Sequence, residues 1–511
     1  MRFKITLLNS LFLLFSMLVF SQQGALDPTF GEDGIVITDL NQNEFVFDMV
    51  IQPDGKILVL GGMLVDSSFG YFIARYLPNG SLDMSFNNVG YVQDTFGPYQ
   101  DVMTRISLLP DGSFFISGRS IQVGSQDDKV VALKFDEVGQ QLSGVWINTT
   151  SGNDVANGAV LQTDEKLLIT GASPSSTGNS TDISLIRILS NGLPDASFGN
   201  NGRITTHVGS NYNSGSAVKQ LLNGKIIVAG ETREGTSNNN IVLLRYNSNG
   251  TLDTSFGNSG YTITDTGSLD DKTVAMQELN NGNILLGAFN GTNSILLEYT
   301  NNGALNTNFG TGGMVTTNTE GIYGVMSLYI RDGSKILMSG FNTDTNQTSL
   351  VLFQFHSNGE LDESFGNSGM ISISLNAIPA FTGISGIKLQ NDGMAVLAYS
   401  SLQPSDIVLA RYFISLELGI VDFNDIQLHP LIYPNPIASE TTLEYTLSQA
   451  ETISITLYDF SGKLIRTFLS SEGKEAGDHK HTLAFDGIAT GNYVLKLSNG
   501  SATRTIQLIK K

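Results

Sequence analysis

The chain has 511 residues, of which 55 are glycine, 12 are proline and none is cysteine, and its formal net charge is −20. A negative charge of this size repels nucleic-acid phosphates and anionic membrane surfaces, so we expect no nucleic-acid partner. The lack of cysteine excludes disulfides, a thiol nucleophile and cysteine-ligated zinc. Abundant glycine favours strands joined by many tight turns.

The amino terminus has the form of a secretory signal peptide. Arg2 and Lys4 precede an apolar stretch over residues 7–20, and polar residues follow from Ser21. We predict a signal peptide over residues 1–21. The alternative, a membrane anchor, needs about 20 uninterrupted apolar residues. We therefore expect no transmembrane segment once the signal is cleaved, and no lipid anchor, because no cysteine follows.

A segment of the form Leu-Asp-x-Ser-Phe-Gly recurs along the chain. Its phenylalanines are separated by 56, 112, 58, 53 and 56 residues, and the double step contains a degenerate copy near Gly139. Seven Asp-Gly-type turns, each followed by an apolar run, give the same count independently. The repeated positions that we single out as structural are Asp27, Phe30, Asp83, Phe86, Asp195, Phe198, Asp253, Phe256, Phe309, Asp362 and Phe365.

Each unit of about 56 residues has four apolar runs, which we assign to four antiparallel strands. In the first unit they are residues 34–37, 45–51, a run after Gly55, and 73–76. Asp-Gly and Asn-Gly between apolar runs are strong hairpin signals. Seven four-stranded units predict an all-β fold, a seven-bladed β-propeller. The alternative is an open β-solenoid, whose coils are usually shorter.

The repeated aspartate has a local explanation. An aspartate at this place accepts backbone N–H bonds in an Asx-turn, and Leu and Phe then meet on one face of a helical turn that glycine ends. The motif would be a hydrophobic plug between blades. Calcium binding is the alternative, but one carboxylate per blade does not supply the several oxygens that calcium needs. We therefore assign no metal ligand.

These residues resemble the delta-60 repeat of secreted bacterial proteins over residues 24–413. The resemblance rests on the motif above, on Gln52-Pro53-Asp54-Gly55-Lys56 and on Ala74-Arg75-Tyr76. It implies a propeller and brings no catalytic residues.

The composition changes after Tyr412. We predict a linker over 414–430 and then about seven short strands over 431–511, a small β-sandwich. This tail resembles the type A sorting domain of the type IX (Por) secretion system of Bacteroidota, which implies export through the periplasm to the surface or medium, with the secretion machinery as partner. An ordinary β module is the alternative. The residues that carry the resemblance are Tyr433, Pro434, Asn435, Pro436, Gly462, Lys463, Gly491, Tyr493, Lys510 and Lys511.

Catalytic signals are weak. Of five histidines, His207 and His356 lie in the propeller, and neither has a carboxylate at metal-ligand spacing. No nucleophile elbow or phosphate loop is convincing, so we assign no catalytic residue and no cofactor. A pair of carboxylates assembled by folding would still allow a glycosidase.

The loops between the third and fourth runs differ most between units, at 63–70, 120–128, 173–182, 231–240 and 341–348. We hypothesise that the face they form, or the channel mouth inside it, binds a surface or polymer ligand. The alternative is that these loops are merely solvated. The predicted function is a secreted or surface-displayed, non-enzymatic binding propeller, adhesin-like or glycan-contacting. The rival is an exported polysaccharide-active enzyme with carboxylates at the channel mouth.

Overall fold

The computed structural model describes residues 24–414 and 431–511, apart from gaps at 66–67, 96–98, 123–127, 150–151, 176–179, 210–211, 235–237, 269, 292, 318–321, 332–333, 345–346, 376–380, 391–393, 403–404, 434, 436, 448–449, 460–463 and 499–502. The predicted signal peptide and residues 415–430 of the predicted linker lie outside the described residues. The chain divides into two compact units, Met1–Glu417 and Leu418–Lys511.

The first unit is built from 28 strands in seven four-stranded antiparallel sheets, which we call blades 1 to 7. Blade 1 contains β2 (Asn43–Ile51), β3 (Ile57–Val65), β4 (Ser68–Tyr76) and β5 (Tyr91–Asp94). Blade 2 contains β6 (Tyr99–Leu108), β7 (Phe114–Gln122), β8 (Lys129–Phe135) and β9 (Gln141–Ile147). Blade 3 contains β10 (Val155–Leu161), β11 (Leu167–Pro174), β12 (Thr181–Ile188) and β13 (Arg203–Thr206).

Blades 4 to 7 follow the same order. Blade 4 contains β14 (Tyr212–Gln220), β15 (Ile226–Glu234), β16 (Asn238–Tyr246) and β17 (Tyr261–Thr264). Blade 5 contains β18 (Lys272–Glu278), β19 (Ile284–Phe289), β20 (Ser294–Tyr299) and β21 (Met314–Thr316). Blade 6 contains β22 (Ile322–Arg331), β23 (Lys335–Asp344), β24 (Gln347–Phe355) and β25 (Met370–Ser374). Blade 7 contains β26 (Phe381–Leu389), β27 (Met394–Ser401), β28 (Ile407–Phe413) and β1 (Ile35–Thr38).

The blades close into a ring. The first strands of successive blades contact one another, from β2 and β6 through to β22 and β26, and β26 contacts β2 again. The middle strands are buried on both faces, because neighbouring blades stack against them. The predicted seven-bladed β-propeller is confirmed.

The sequence repeat and the blade are out of step by one strand. We predicted that β1 belongs to the same blade as β2, but β1 pairs with β28, with Ile35 opposite Ala410 and Thr38 opposite Ile407. Every blade therefore takes its outermost strand from the repeat that follows. The prediction was wrong because local periodicity shows where strands occur but not which strand they pair with.

The hairpin turn between the first two strands of a blade requires a left-handed residue, as the sequence indicated. In blade 1, Gly55 has φ = 84° and donates its N–H to Gln52 O at 2.9 Å, while Lys56 N donates to Asp54 Oδ1 at 3.2 Å. In blade 3 Glu165, with φ = 64°, takes the place of the glycine. A non-glycine residue in this region is uncommon, so this turn departs from the pattern.

The leucine and phenylalanine of the repeat motif do not meet on one face. Leu82 packs in the cluster between blades 7 and 1, which also holds Phe30, whereas Phe86 is buried between blades 1 and 2. The motif is a turn in which Phe86 N donates to Asp83 O at 2.9 Å, not a continuing helix. This copy therefore inserts one apolar side chain into each of two successive interblade cores, whereas Leu361, at the position of Leu82, is exposed.

The second unit has two sheets. One contains β29 (Leu431–Tyr433), β30 (Glu440–Leu447) and β33 (Gly477–Ala484). The other contains β31 (Glu451–Asp459), β32 (Leu464–Lys474), β34 (Gly491–Ser498) and β35 (Thr503–Lys510), in the order β32-β31-β34-β35. Side chains of both sheets, such as Leu443 and Leu495, share one hydrophobic cluster, as in a small β-sandwich.

Candidate functional site

The repeated aspartate and phenylalanine form a unit with an arginine of the strand that precedes them. Asp83 Oδ2 accepts a 2.8 Å hydrogen bond from Arg75 Nε, and Asp83 Oδ1 accepts from the backbone and hydroxyl of Ser85. The Arg75 guanidinium also lies 4.7 Å from the centroid of the Phe86 ring. The same arrangement occurs in Arg411–Asp27–Phe30, Arg187–Asp195–Phe198 and Arg245–Asp253–Phe256.

The same arginine joins its blade to the next one. Arg411 Nη1 donates to Pro78 O at 2.8 Å, and Arg187 Nη1 donates to Ser248 O at 2.5 Å. In blade 2, where the motif is degenerate, Lys134 stands at the position of the arginine and donates to Ser190 O at 2.8 Å. The contact between blades thus survives the loss of the motif.

Two copies replace the arginine. In blade 6, Gln354 Nε2 donates to Asp362 Oδ2 at 2.8 Å, Lys335 binds the same carboxylate, and Phe365 follows in the core. In blade 5 the donor and the acceptor exchange places. Glu298 stands at the position of the arginine and Asn306 at that of the aspartate, and Asn306 Nδ2 donates to Glu298 Oε1 at 2.8 Å. Its phenylalanine, Phe309, is again fully buried.

The carboxylates of the motif are held in the ionised form. Burial opposes this by raising the pKa, but the hydrogen bonds and charges that surround each group outweigh it, so that each pKa lies below the ordinary value. This holds for Asp27, Asp83, Asp195, Asp253 and Asp362. Protein donors already occupy these oxygens, which agrees with a structural role rather than the calcium alternative.

Each of the two propeller histidines lies near one aspartate. His207 Nδ1 contacts Asp182 Oδ1 at 2.8 Å, and His356 Nε2 lies 3.8 Å from Asp362 Oδ1. The rings of His479 and His481 both stack with the Tyr445 ring, and their centroids lie 5.3 and 5.6 Å from its centroid. His429 lies outside the described residues.

A cavity of about 650 Å³ lies near the beginnings of the first strands of blades 3 to 5, at the end of the ring that carries the variable loops. Because the first strands surround the axis, this is the mouth of the channel; we call it the channel-mouth cavity. Its lining residues are Thr104, Arg105, Ala156, Asn157, Tyr212, Ser214, Ser216, Glu231, Arg233, Asn239, Asp270, Lys272, Thr273 and Val274.

The two carboxylates of this cavity are bound by protein donors. Glu231 accepts from Thr273 N at 2.7 Å and from Ser216 Oγ at 2.8 Å, and burial raises its pKa despite these bonds. Asp270 accepts from Lys272 Nζ and from Asn239 Nδ2, both at 2.8 Å, and these bonds lower its pKa. The two groups are therefore pushed to opposite sides of their ordinary range.

Cations and one aromatic ring complete the cavity. The Arg233 guanidinium lies 5.2 Å from the centroid of the Tyr212 ring, and Arg233 Nε donates to Asn239 Oδ1 at 2.9 Å. Tyr212 is 39% exposed, so part of its ring is open to solvent. Arg105 donates to the neighbouring carbonyl of Thr104 at 2.8 Å. Three cations against two carboxylates give the cavity a local positive balance in a chain of net charge −20.

Sequence reasoning named the loop that contributes Glu231, Arg233 and Asn239, but it did not name these residues. The sequence did contain a signal for Glu231. The second strand of a blade has a glycine that is followed by Glu231 in blade 4, but by Gly62 in blade 1 and Ala172 in blade 3. The partners on other blades carry no pattern in the sequence, because the packing of neighbouring blades brings them together.

The second unit brings together the two ends of its own sequence. Ile437, which follows the Tyr433 motif, pairs with Lys510, and Lys511 N donates to Ile437 O at 2.9 Å. Gly491 lies opposite Lys510 in the register of β34 and β35. Tyr493 is nearly buried and its hydroxyl donates to Ala489 O at 2.9 Å.

The other residues that carry the sorting resemblance have different settings. Tyr433 is exposed and its hydroxyl donates to Glu444 at 2.5 Å, and Asn435 is exposed beside it. Outside the described residues lie Pro434, Pro436, Gly462 and Lys463.

Family models match both units. Residues 431–511 match the model described as a secretion system C-terminal sorting domain, Por_Secre_tail. Residues 52–86, 162–198 and 222–256 match a β-propeller domain of unknown function, DUF5122. Residues 431–511 are a secretion-system sorting domain that follows a β-propeller in the sequence. The sorting domain places this propeller protein at the cell surface or in the medium. No curated protein matches its sequence.

Several solved structures match this chain at low identity. PorZ, a surface component of the type IX secretion system of Porphyromonas gingivalis, matches with a TM-score of 0.43 and 12% identity, over 92% of this chain and 60% of that chain. The polysaccharide lyase Uly1 matches with a TM-score of 0.42 and 8% identity, over 78% and 94%. Pyrococcus horikoshii acylaminoacyl peptidase matches with a TM-score of 0.39 and 9% identity, over 79% and 57%.

This chain therefore spans about 60% of the length of PorZ. Within the part of the chain that the structure describes, there is no helix with the length and apolar character needed to cross a membrane.

Proposed function

We propose that the propeller is a non-enzymatic binding module that contacts an acidic glycan through the channel-mouth cavity, after export directed by residues 431–511. The observation that carries the proposal is the composition of the cavity: an exposed tyrosine ring, three cations and several hydroxyl and amide groups around about 650 Å³. A cavity of this size accommodates a short stretch of a saccharide chain.

The chemistry of the lining suits a sugar acid. The open part of the Tyr212 ring offers a flat apolar surface to the C–H face of a sugar, while Asn157 and Ser214 offer donors and acceptors for hydroxyls. Arg105 and Arg233 present planar guanidinium groups that match carboxylate or sulfate oxygens in pairs. An acidic group on the glycan would give these cations a charge-assisted partner that a neutral glycan lacks.

The variable loops extend this surface. The loop at 231–240 contributes Glu231, Arg233 and Asn239 directly to the cavity. The strand ends that flank the loops at 63–70, 120–128, 173–182 and 341–348 lie at the same end of the ring, because these loops connect the second and third strands of their blades. We propose that they contact more distant parts of a polymer. Loops that are merely solvated would leave binding unchanged when they are exchanged between blades.

One observation favours the enzyme alternative. Glu231 and Asp270 line the same cavity with pKa values shifted in opposite directions, which is the condition that an acid and a base require. Against this, the oxygens of Glu231 are engaged by Ser216 and Thr273, and those of Asp270 by Lys272 and Asn239. Because protein donors already engage these oxygens, we propose that the two carboxylates hold the lining of the cavity in place and that the function is binding.

The experiment is a glycan array with the exported protein, containing neutral, uronic-acid and sulfated polysaccharides. We expect binding to acidic members, and a loss of about tenfold or more in affinity for Tyr212→Ala and for Arg233→Gln. Lys129→Gln is the matched control, because Lys129 begins β8 at the same end of the ring but does not line the cavity.

Equal binding by the wild type and both cavity variants would rule out this site. Release of reducing ends from any polysaccharide by the wild type, with loss of that activity in Glu231→Gln, would establish the enzyme alternative instead.

A further inference from the structure

Three carboxylates meet where the ring closes. Asp39 follows β1, the strand that completes blade 7; Glu44 lies in β2, the first strand of blade 1; and Asp406 precedes β28 of blade 7. One oxygen from each lies within 4.8 Å of those of the other two. We call these three residues the closure carboxylates.

Two of the closure carboxylates are buried and incompletely paired. Glu44 is fully buried and Asp406 is 8% exposed, yet Glu44 Oε2 and Asp406 Oδ1 have no hydrogen-bond partner in the described protein. Glu44 Oε1 accepts a 3.0 Å bond from Gln42 N. Buried like charges without donors are costly unless a cation joins them.

The backbone around the cluster is fixed by the protein itself. Glu44 N donates to Ser405 O at 2.7 Å, Ser405 Oγ donates to Glu44 O at 2.9 Å, and Asp406 N donates to Ser401 Oγ at 2.8 Å. These bonds hold blade 1 against blade 7. The backbone that carries Glu44 and Asp406 is therefore held in place at this junction.

The junction of blades 3 and 4 shows how the same positions are neutralised elsewhere. Asp182 has the same spacing to Arg187 as Asp406 has to Arg411. His207 likewise has the same spacing to Gly202 as Asp39 has to Gly34. There His207 Nδ1 contacts Asp182 Oδ1 at 2.8 Å, and an amide, Asn213, replaces Glu44. A ring nitrogen and an amide thus take the place of two carboxylates.

At two further junctions the carboxylate equivalent to Glu44 receives protein donors. Asp271 accepts from the backbone N–H of Thr266 at 3.1 Å and from its hydroxyl at 2.5 Å. Asp154 accepts from Thr149 in the same manner, with 2.8 Å from the backbone N–H. These two junctions supply a threonine hydroxyl to the carboxylate. At the closure between blades 7 and 1, the carboxylates of Asp39 and Asp406 lie near Glu44 instead.

We propose that the closure carboxylates bind a calcium ion that fastens β1 into blade 7 and blade 7 to blade 1. Calcium takes oxygen ligands at about 2.3–2.6 Å, so two oxygens of one coordination shell stand at most about 5.2 Å apart. The three closure oxygens, which lie within 4.8 Å of one another, meet this condition. Magnesium needs a tighter octahedron, with bonds of about 2.1 Å. Asp39 is exposed, so the solvent side leaves room for water ligands.

The test uses the full chain, stripped with EDTA and then supplied with millimolar CaCl2. We expect the thermal midpoint to rise by about 2 °C or more, and calorimetry to show a calcium site that is lost in Glu44→Gln/Asp406→Asn. This double variant removes charge repulsion, so it should fold without calcium. Asp39→Asn, at an exposed position, should keep the fold and lower calcium affinity about tenfold.

The matched control is Asp265→Asn, at the exposed position equivalent to Asp39 in blade 4, and it should keep the full calcium response. No rise in the wild type, or an unchanged rise in Glu44→Gln/Asp406→Asn, would overturn the site. An equal rise with MgCl2 at the same concentration would overturn the assignment of calcium.

Discussion

Arg411 Nε donates a 2.7 Å hydrogen bond to Asp27 Oδ2, although the two residues stand 384 positions apart. Arg411 belongs to the last strand of the ring in sequence, β28, and Asp27 precedes the first, β1. Arg411 Nη1 also donates a hydrogen bond to Pro78 O in blade 1. One guanidinium therefore connects both ends of the propeller sequence and the next blade.

This pair should be more important for stability than its counterparts. Asp253 is bound by both Arg245 and Lys225, each at 2.6 Å, whereas Met394 stands at the position of Lys225 in blade 7. We expect Arg411→Met to lower the free energy of unfolding by about 3 kcal/mol, because it leaves a buried carboxylate without its cation.

Urea denaturation of the full chain measures this, with Arg245→Met as the matched control. The free energy of unfolding should fall less in the control variant, since Lys225 remains beside Asp253. An equal loss in both variants would show that closure has no special dependence on this pair.

The motif carboxylates predict a dependence of stability on pH. Their pKa values are lowered in the folded protein, so their contribution is complete above the unfolded value of about 4 and is lost as pH falls through the lower folded values. We expect the difference in thermal midpoint between the wild type and Asp253→Asn to be constant from pH 5 to 7, by scanning calorimetry, and to shrink below about pH 4. A difference that is independent of pH down to the acid limit would contradict this.

The reversed pair in blade 5 can be tested by a double-mutant cycle. Asn306→Asp places a second carboxylate beside Glu298, whose Oε1 lies 2.8 Å from Asn306 Nδ2 and also accepts from Asn283 at 2.5 Å. We expect this single change to lower the free energy of unfolding by about 1–3 kcal/mol. Adding Glu298→Arg restores the arrangement of the other blades and should recover most of the loss. Independent, additive effects would mean that the two side chains do not interact.

The sorting domain gives a prediction for the cell. Removal of residues 431–511 should retain the propeller inside the cell envelope, because the matched sorting domain is absent. Immunoblots of medium, cell surface and periplasm measure this, and the full-length chain carrying Lys129→Gln should be exported normally. Propeller found in the medium or on the surface without the tail would contradict the sorting role.

The sequence by itself determined the number of blades, the positions of their hairpins and the sorting domain. These follow from short-range signals: a left-handed residue at each turn, such as Gly55, and a run of motifs near the end of the chain. The burial of the repeated phenylalanines was predictable in the same way, since apolar residues at a fixed period must face a repeated core.

The tertiary structure alone decided which strands and side chains meet. The pairing of β1 with β28 moves the blade boundary by one strand, and ring closure brings Asp39, Glu44 and Asp406 to one point. The channel-mouth cavity combines residues of four neighbouring blades. Local sequence carries no record of these contacts, because they arise from strand pairing and blade packing between segments that lie far apart along the chain.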